Sequence, residues 1–325
     1  MSDQAIAQTA GHDAPVFSVV IPHFNQPHWL EKTLASIHDQ VPGRDGQPFR
    51  FEVIVVDNGS REMPDAVCAP YPSVRLLLET EKGPGPARNR GAAEARAPVV
   101  LFTDSDCIVA RDWMASAERL LAAHPATGIF CGDVSILPAR SEGLLSSIEA
   151  YEELYAYRPE LMVRRYHFAP TCNIVVRREV FEAVGPFIPG LLISEDVEWG
   201  RRAHEKGFPI LFTPELKIWT PARETFAEVA RRWDRQVGQQ HAEMVRKPWG
   251  RLRWLGKTLA MPVSPLAELP AIMMSTRLKR RRERGKAFYR LVQTRLYRTW
   301  RMVQLATGLI DSEWLASAWR RTPGS

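Results

Sequence analysis

Asp104-Ser105-Asp106 sets two carboxylates one residue apart, directly behind the apolar run Val99-Val100-Leu101-Phe102. A run of that kind reads as a buried strand, so the pair stands at a strand end. Carboxylate oxygens are hard ligands, and two of them at the carboxyl end of a strand in an α/β sheet can share one divalent cation with a diphosphate. Taken alone, the same spacing also fits a polar turn with two solvated aspartates. Three other segments carry chemistry of a related kind. Ser18-Val19-Val20-Ile21-Pro22-His23-Phe24-Asn25 is a strand whose end is closed by proline. Val53-Ile54-Val55-Val56-Asp57-Asn58-Gly59-Ser60 ends a strand in Asp57, with Asn58 and Gly59 allowing a tight turn. An aspartate there can accept from a base N–H or a ribose hydroxyl, or simply cap the next element. Gly83-Pro84-Gly85-Pro86-Ala87-Arg88-Asn89-Arg90-Gly91 is a Gly/Pro loop opening a helix. Its cations suit a nucleotide phosphate, Arg88 equally suits a salt bridge within the fold, and Pro86 suits ordinary helix initiation.

Elements that would position these residues follow from the hydrophobic pattern. From Phe17 the chain alternates short β-branched runs with amphipathic stretches, as expected of βα units around a mostly parallel sheet. Strands are predicted at Ser18 to Ile21, Glu52 to Val56, Val74 to Leu78, Pro98 to Thr103, Gly128 to Ile136, Asn173 to Val176 and Ile210 to Phe212. Asn25 and Pro27 supply a helix start, with Leu30, Leu34 and Ile37 on its apolar face. A second helix opens near Pro86 and continues through Gly91 to Arg96. Beyond about Phe226 the strand pattern stops. Phe226 to Met244 reads as a helix, Pro248 to Pro270 as a stretch broken by Pro248, Pro262, Pro265 and Pro270, and Arg277 to Ile310 as basic and helical.

The four segments, in this order and spacing, resemble the inverting, nucleotide-sugar-dependent glycosyltransferases of GT-A family 2, from about Val16 to Gln240. Two more segments extend the likeness. Pro170-Thr171-Cys172-Asn173 leads into a strand like the one beside the donor sugar, and Ser194-Glu195-Asp196-Val197-Glu198 is similar to the family's Glu-Asp motif at a helix start. The resemblance implies a GT-A fold: a Rossmann-like, mostly parallel α/β sheet flanked by helices, here with a basic helical C-terminal extension. It implies a nucleotide-diphosphate sugar donor, Mg2+ or Mn2+ held by Asp106 and Asp104, and Asp196 as general base for an acceptor hydroxyl. Asp104 is alternatively directed to the ribose, and Glu195 either orients the acceptor or supports Asp196. Pro22, His23, Phe24 and Asn25 would line the nucleotide pocket, Asp57 would read the base, Arg88 would meet phosphate and Asn173 the donor sugar. Read without that resemblance, Glu195, Asp196 and Glu198 are helix N-terminal acids, with Glu198 spaced to pair with Arg202. Departures from the pattern are Thr220, where related enzymes carry a histidine, and Thr171-Cys172 in place of a glycine.

Competing readings are a sugar-nucleotide pyrophosphorylase, disfavoured because Pro22-His23-Phe24-Asn25 replaces a Gly-rich signature, and a non-catalytic membrane or nucleic-acid adaptor. Of the 325 residues, 45% are hydrophobic and 25% charged, ordinary for a chain with a substantial core. Cys68, Cys107, Cys131 and Cys172 form neither a CxxC nor a Cys/His pattern, which argues against zinc and a disulfide framework. Residues 1–15 read as a disordered tail, 16–225 as the catalytic domain and 226–325 as a helical region; absence of a signal-like segment or a long apolar run points to the cytoplasm. Eleven basic residues between Arg277 and Arg301 face one acid, a local +10 within a chain of net +6, so the remainder carries −4. Along this helix Tyr289, Val292, Leu296, Trp300 and Val303 make an apolar stripe opposite Arg290, Thr294, Arg298 and Arg301. A basic amphipathic helix of this kind is expected to lie on an anionic membrane, at the inner face of the cell membrane, near a glycan, glycolipid or protein acceptor, or alternatively to pack on the catalytic domain with a solvated basic face. No motif that reads DNA or RNA accompanies it.

Overall fold

The structure, a computed structural model, describes residues 14–140, 143–190 and 195–317. In chain order its first half comprises β1 (Phe17–His23), α1 (Pro27–His38), β2 (Phe51–Asp57), α2 (Asp65–Cys68), β3 (Val74–Leu78), α3 (Pro84–Ala93), β4 (Val99–Phe102), β5 (Ile108–Val109), α4 (Trp113–Ala123) and β6 (Ile129–Leu137). There follow α5 (Ser147–Tyr155), α6 (Pro159–Tyr166), β7 (Ile174–Arg177), α7 (Arg178–Val184), α8 (Glu195–Glu205) and β8 (Ile210–Pro221). The chain ends in α9 (Phe226–Val245), α10 (Gly250–Ala260), α11 (Ser264–Met274), α12 (Arg281–Ala306) and α13 (Ser312–Ala316). Residues 1–13 of the expected tail, and Ser194 of the Glu-Asp motif, lie outside the described residues.

The chain forms two compact units. The first contains the described residues of Met1–Ser135 together with Arg158–Thr220. It holds an eight-stranded sheet in the order β3-β2-β1-β4-β7-β6-β8-β5. β1 runs parallel to β2 and β4, and β2 to β3; β7 is antiparallel to β4 and β6, and β5 to β8. The parallel strands are near-continuous apolar runs because both faces are covered: Val19, Val20, Ile21, Val53 to Val56 and Val100 to Phe102 are all buried. Leu30, Leu34 and Ile37 of α1 are buried as their spacing predicts. The second helix begins earlier than expected, at Pro84, and ends at Ala93. Sequence reading missed β5 and stopped β8 at Phe212. Pro214, Glu215 and Lys217 obscure its continuation, yet Leu216, Ile218 and Thr220 alternate inward up to Pro221.

The second unit is Ile136–Tyr157 with the described part of Pro221–Ser325. Helix α5 thus belongs with the C-terminal helices, which a division of the chain at residue 225 does not reveal. Two apolar clusters hold it: one includes Ile148, Tyr151, Val229, Ile272 and Leu291, the other Val237, Trp254, Met302 and Leu315. The stretch expected to be broken by prolines forms two helices. Pro262 falls between them and Pro265 in the first turn of α11, where a missing N–H costs little, while Pro270 is carried inside that helix.

The faces of α12 reverse the expected arrangement. Tyr289, Leu296 and Trp300 are 62%, 53% and 56% exposed, whereas Thr294 and Arg298 are buried. The cations of that inner face have partners. Arg290 Nη2 donates to Ser147 Oγ (2.6 Å), Arg301 pairs with Asp234 (3.0 Å), and the Arg298 guanidinium lies 3.9 Å from the Trp233 ring centroid. Long arginine stems pack as hydrocarbon while their planar heads reach acceptors and a ring face, so a basic stripe serves as an interior one. Beyond the first turn, this helix does not present a free basic face.

Candidate active site

Parallel registry puts the chemistry on one edge of the sheet. His23 stands opposite Asp57 and Val20 opposite Phe102, so β1, β2 and β4 all deliver their carboxyl ends to the same side. That edge is where open α/β sheets bind ligands.

At the β1/β2 corner, His23 Nδ1 donates to Asp57 Oδ1 (2.8 Å) and His23 Nε2 accepts from the Gln26 backbone N–H (3.2 Å). Ser60 Oγ donates to the same Asp57 oxygen (2.5 Å), while the backbone N–H groups of Gly59 and Ser60 reach Asp57 Oδ2 at 3.1 and 2.9 Å. Gly59 has φ of 82°, a conformation the turn requires and glycine adopts without strain. Burial works against the Asp57 carboxylate, but these bonds from Ser60 and His23 outweigh it and hold its pKa below the ordinary value. A direct bond from Asp57 to a base or ribose therefore requires one of these donors to give way. Asn25, at φ of 52°, donates its backbone N–H to Ser60 Oγ and accepts from the Arg61 N–H. Phe24 remains 45% exposed at the rim.

Helix α3 assigns separate tasks to Arg88, Asn89 and Gly91. Arg88, 3% exposed, donates through Nη2 to Asp104 (2.6 Å) and through Nη1 to Glu195 (3.0 Å). Burial alone would lower its pKa; the two carboxylates more than offset that and keep the guanidinium charged. Of the two roles open to Arg88, the salt bridge is the one seen, and it joins Asp104 to the N-terminus of α8. Asn89 exchanges two 2.8 Å hydrogen bonds with the Phe187 backbone. A Cβ at Gly91 would run into the Val20 side chain, so glycine allows α3 to lie against β1.

Asp196 is shifted in the opposite direction to Asp57. Burial, then the neighbouring Glu195, push its pKa up to about 6, against the opposing Val197 N–H bond and the Arg88 charge. A base near neutrality is the acidity that proton abstraction at physiological pH favours. Glu198 forms the expected i,i+4 pair with Arg202 (2.8 Å), so the helix-acid reading holds for that residue.

The Asp pair fits a hard divalent cation. Asp104 retains 32% side-chain exposure although one oxygen serves Arg88, and Asp106 is half-buried. Among the described residues no group of three or more His, Cys, Asp or Glu could form a protein-only cage. Two carboxylates without further protein ligands suit Mg2+ or Mn2+, which keep waters and take oxygens from substrate phosphates. Cys107 is buried, its thiol donating to Asp106 Oδ1 (3.7 Å), and the other cysteines are buried and free as well.

Asn173 is fully buried. Its Nδ2 donates to the Asp133 and Leu216 carbonyls (both 2.9 Å) and its Oδ1 accepts from Trp113 Nε1 (3.0 Å), tying β7 to its neighbours. Thr220 is buried in β8, one residue past Trp219, which pairs with Ile108 just beyond Asp106. Sequence reading missed Ser60 and Gln26. Ser60 lay within a quoted motif, whereas nothing local marks Gln26, which also accepts from Ser105 Oγ (3.1 Å).

The profile of Glycosyl transferase family 2 matches residues 18–185, just over half of the chain. Glycosyltransferase AglE of Haloferax volcanii is 28% identical over 214 residues, covering 64% of this chain and 68% of AglE. Validoxylamine A glucosyltransferase of Streptomyces hygroscopicus subsp. limoneus is 26% identical over 246 residues, covering 62% of this chain and 50% of that protein. The match thus spans about half the length of that relative. Among solved structures, mannosyltransferase PcManGT from Pyrobaculum calidifontis, in complex with GDP-Man and Mn2+, superposes with a TM-score of 0.54 at 20% identity, covering 90% of this chain and 87% of that one. S. aureus TarS 1-349 in complex with UDP-GlcNAc gives 0.51 at 18%, covering 90% and 91%. At such identities the structural likeness speaks for the fold. The family profile spans the motifs gathered at the edge of β1, β2 and β4, and it sets aside both the pyrophosphorylase and the adaptor: the chain belongs to glycosyl transferase family 2, a glycosyltransferase on a GT-A fold.

Proposed function

We propose that the protein transfers a sugar, with inversion, from a nucleoside diphosphate donor to an acceptor hydroxyl. The observation that supports this reading is the Arg88 bridge between Asp104 and Glu195, which ties the end of β4 to the helix that bears Asp196. The nucleotide lies at the corner of Pro22 to Asn25, with Phe24 at its rim and the His23-Asp57 pair ordering the loop beneath it. Asp106, with Asp104, would hold Mg2+ or Mn2+, and such a cation would supply several kcal/mol of charge stabilisation for a diphosphate leaving group. Asp196 takes the proton from the acceptor hydroxyl, whose oxygen attacks the anomeric carbon on the face opposite the leaving group. Glu195, anchored by Arg88, positions Asp196 and the acceptor. Asn173 acts indirectly, by fixing the floor of the sugar site. The neighbours bound to GDP-Man and UDP-GlcNAc support a nucleotide-sugar donor, and the one holding Mn2+ supports a divalent cation. A cell-surface glycan or glycolipid, worked on at the inner face of the cell membrane, is the acceptor class proposed.

Thermal stabilisation by UDP, GDP, ADP and dTDP, each with Mn2+, Mg2+ or a chelator, tests the donor site in wild type and Asp106→Ala. A rise in Tm with one nucleotide that needs metal and disappears in the variant is the expected result. No response to any nucleotide by folded protein overturns the reading.

A further inference from the structure

The helical unit carries an apolar surface that its own core does not use. On α10 Trp254 and Thr258, and at its C-cap Met261, are buried, and Trp254 Nε1 donates to the Met302 carbonyl of α12. Leu252, Leu255 and Leu259 occupy the opposite face at three- and four-residue spacing and are 65%, 49% and 78% exposed. Helix α11 repeats the arrangement: Pro265 and Ile272 are buried, while Leu266, Met273 and Met274 are 68%, 46% and 81% exposed. Between Lys257 and Arg277 the single charged residue is Glu268, which is half-buried and turned to Arg295 (3.8 Å) and Tyr155. The outer face of α11 therefore presents no exposed charge. A solvated helix keeps a polar outer face, and exposure of several large apolar side chains on two successive helices marks a contact surface.

Charge identifies the contact. Exposed cations frame the apolar stretch, with Arg246, Lys247 and Arg251 before it, Arg253 within its first turn and the basic run 279–282 after it. Trp249, 76% exposed, stands at the start of α10, where an amphipathic ring suits the boundary between water and lipid. Helix α11 has 11 residues, about 16 Å at 1.5 Å per residue, against roughly 30 Å for a hydrocarbon core. No helix among the described residues is long and apolar enough to cross a membrane. Apolar residues framed by cations and a tryptophan, on helices too short to span, match an in-plane interfacial surface. A two-fold contact with a second copy sets the same patch against itself and brings like charges together.

We propose that α10 and α11 seat the protein on an anionic lipid bilayer by inserting their outer apolar faces at the headgroup boundary, the flanking cations meeting lipid phosphates. This assigns the lipid contact to Leu252 through Met274 and not to the basic face of α12, which is turned inward. It stands independently of the transfer reaction.

Co-sedimentation with phosphatidylcholine vesicles, with and without phosphatidylglycerol, tests it on the full chain at low and high salt. Wild type is expected to bind the anionic vesicles and to retain part of that binding at high salt, because apolar insertion is not screened. Leu255→Glu/Leu259→Glu and Leu266→Glu/Met273→Glu are each expected to bind roughly tenfold more weakly or worse. Both pairs are exposed, and an unchanged Tm and nucleotide response verifies that the fold and donor site survive. Failure of wild type to bind, equal binding by both variants, or loss confined to Leu296→Glu/Trp300→Glu on α12 overturns the proposal. So does a dimer in sedimentation equilibrium that these variants dissolve without any vesicle binding, which assigns the face to a second copy.

Discussion

Arg88 Nη1 lies 3.0 Å from Glu195 Oε1 across 107 residues of sequence, and the other arm of the same guanidinium reaches Asp104. One buried cation thereby couples the strand-end carboxylates to the helix bearing Asp196.

Removing that cation leaves two carboxylates facing each other without a partner. Arg88→Ala is expected to lower stability by about 3 kcal/mol in urea titration, the low end for a broken buried pair because Asp104 keeps contact with water. Activity falls as well, and Arg88→Lys restores charge without the fork geometry and recovers only part of each. The pKa of Asp196 rises further in Arg88→Ala, so the acid limb of its pH profile moves up.

Asp196→Asn separates catalysis from stability. In its proposed role as general base, Asp196 is expected to account for roughly 10²- to 10⁴-fold in kcat. Its pKa, up from 3.8 to about 6, means the folded state binds that proton more tightly than the unfolded chain does. Stability contributed by the protonated form is therefore present at low pH and lost as pH rises from about 4 to 6. The asparagine variant escapes this loss and is expected to be about 1 to 3 kcal/mol more stable than wild type at pH 7.5. For wild type, kcat/KM rises with pH through about 6 and then levels. A variant that is inactive but no more stable overturns the assignment of a burial-strained carboxylate.

Asp57 has the opposite sign. Its lowered pKa makes it a source of stability that is fully present above the ordinary carboxylate pKa of 3.8 and lost as pH falls through the depressed value. Asp57→Asn, which gives up charge-assisted bonds from His23 and Ser60, is expected to cost about 2 kcal/mol at neutral pH. Plotted against pH, the Tm of the variant falls less steeply below pH 4 than that of wild type.

Gly91→Ala tests the seating of α3. The added Cβ meets Val20, and overpacking of this kind costs about 1 to 3 kcal/mol. Because Arg88 rides on the same helix, activity drops with stability. Gly256→Ala in α10, where an added Cβ meets nothing within 4 Å, is the control and is expected to stabilise by about 0.5 to 1 kcal/mol.

Local sequence determined what depends on nearest neighbours along the chain. Buried strands announce themselves by continuous apolar runs, and the turn at Asp57-Asn58-Gly59 by residues that tolerate its backbone. The strand-end positions of His23, Asp57 and Asp104 follow from those signals, as does the α1 face of Leu30, Leu34 and Ile37. Ordered motifs then pointed to the family, because their spacing is itself a sequence property. Tertiary structure decided the pairings. That Arg88 serves Asp104 and Glu195, and that Asn173 is consumed by Asp133, Leu216 and Trp113, depends on contacts 16 to 107 residues apart. The orientation of α12 was equally hidden. Periodicity locates two faces on a helix but does not say which one is covered, and here Trp233, Asp234 and Ser147 offer the arginines better partners than water does. The same physics leaves α10 and α11 apolar on both sides: burial of Trp254 and Ile272 satisfies the core, and the outward leucines and methionines are free for another partner.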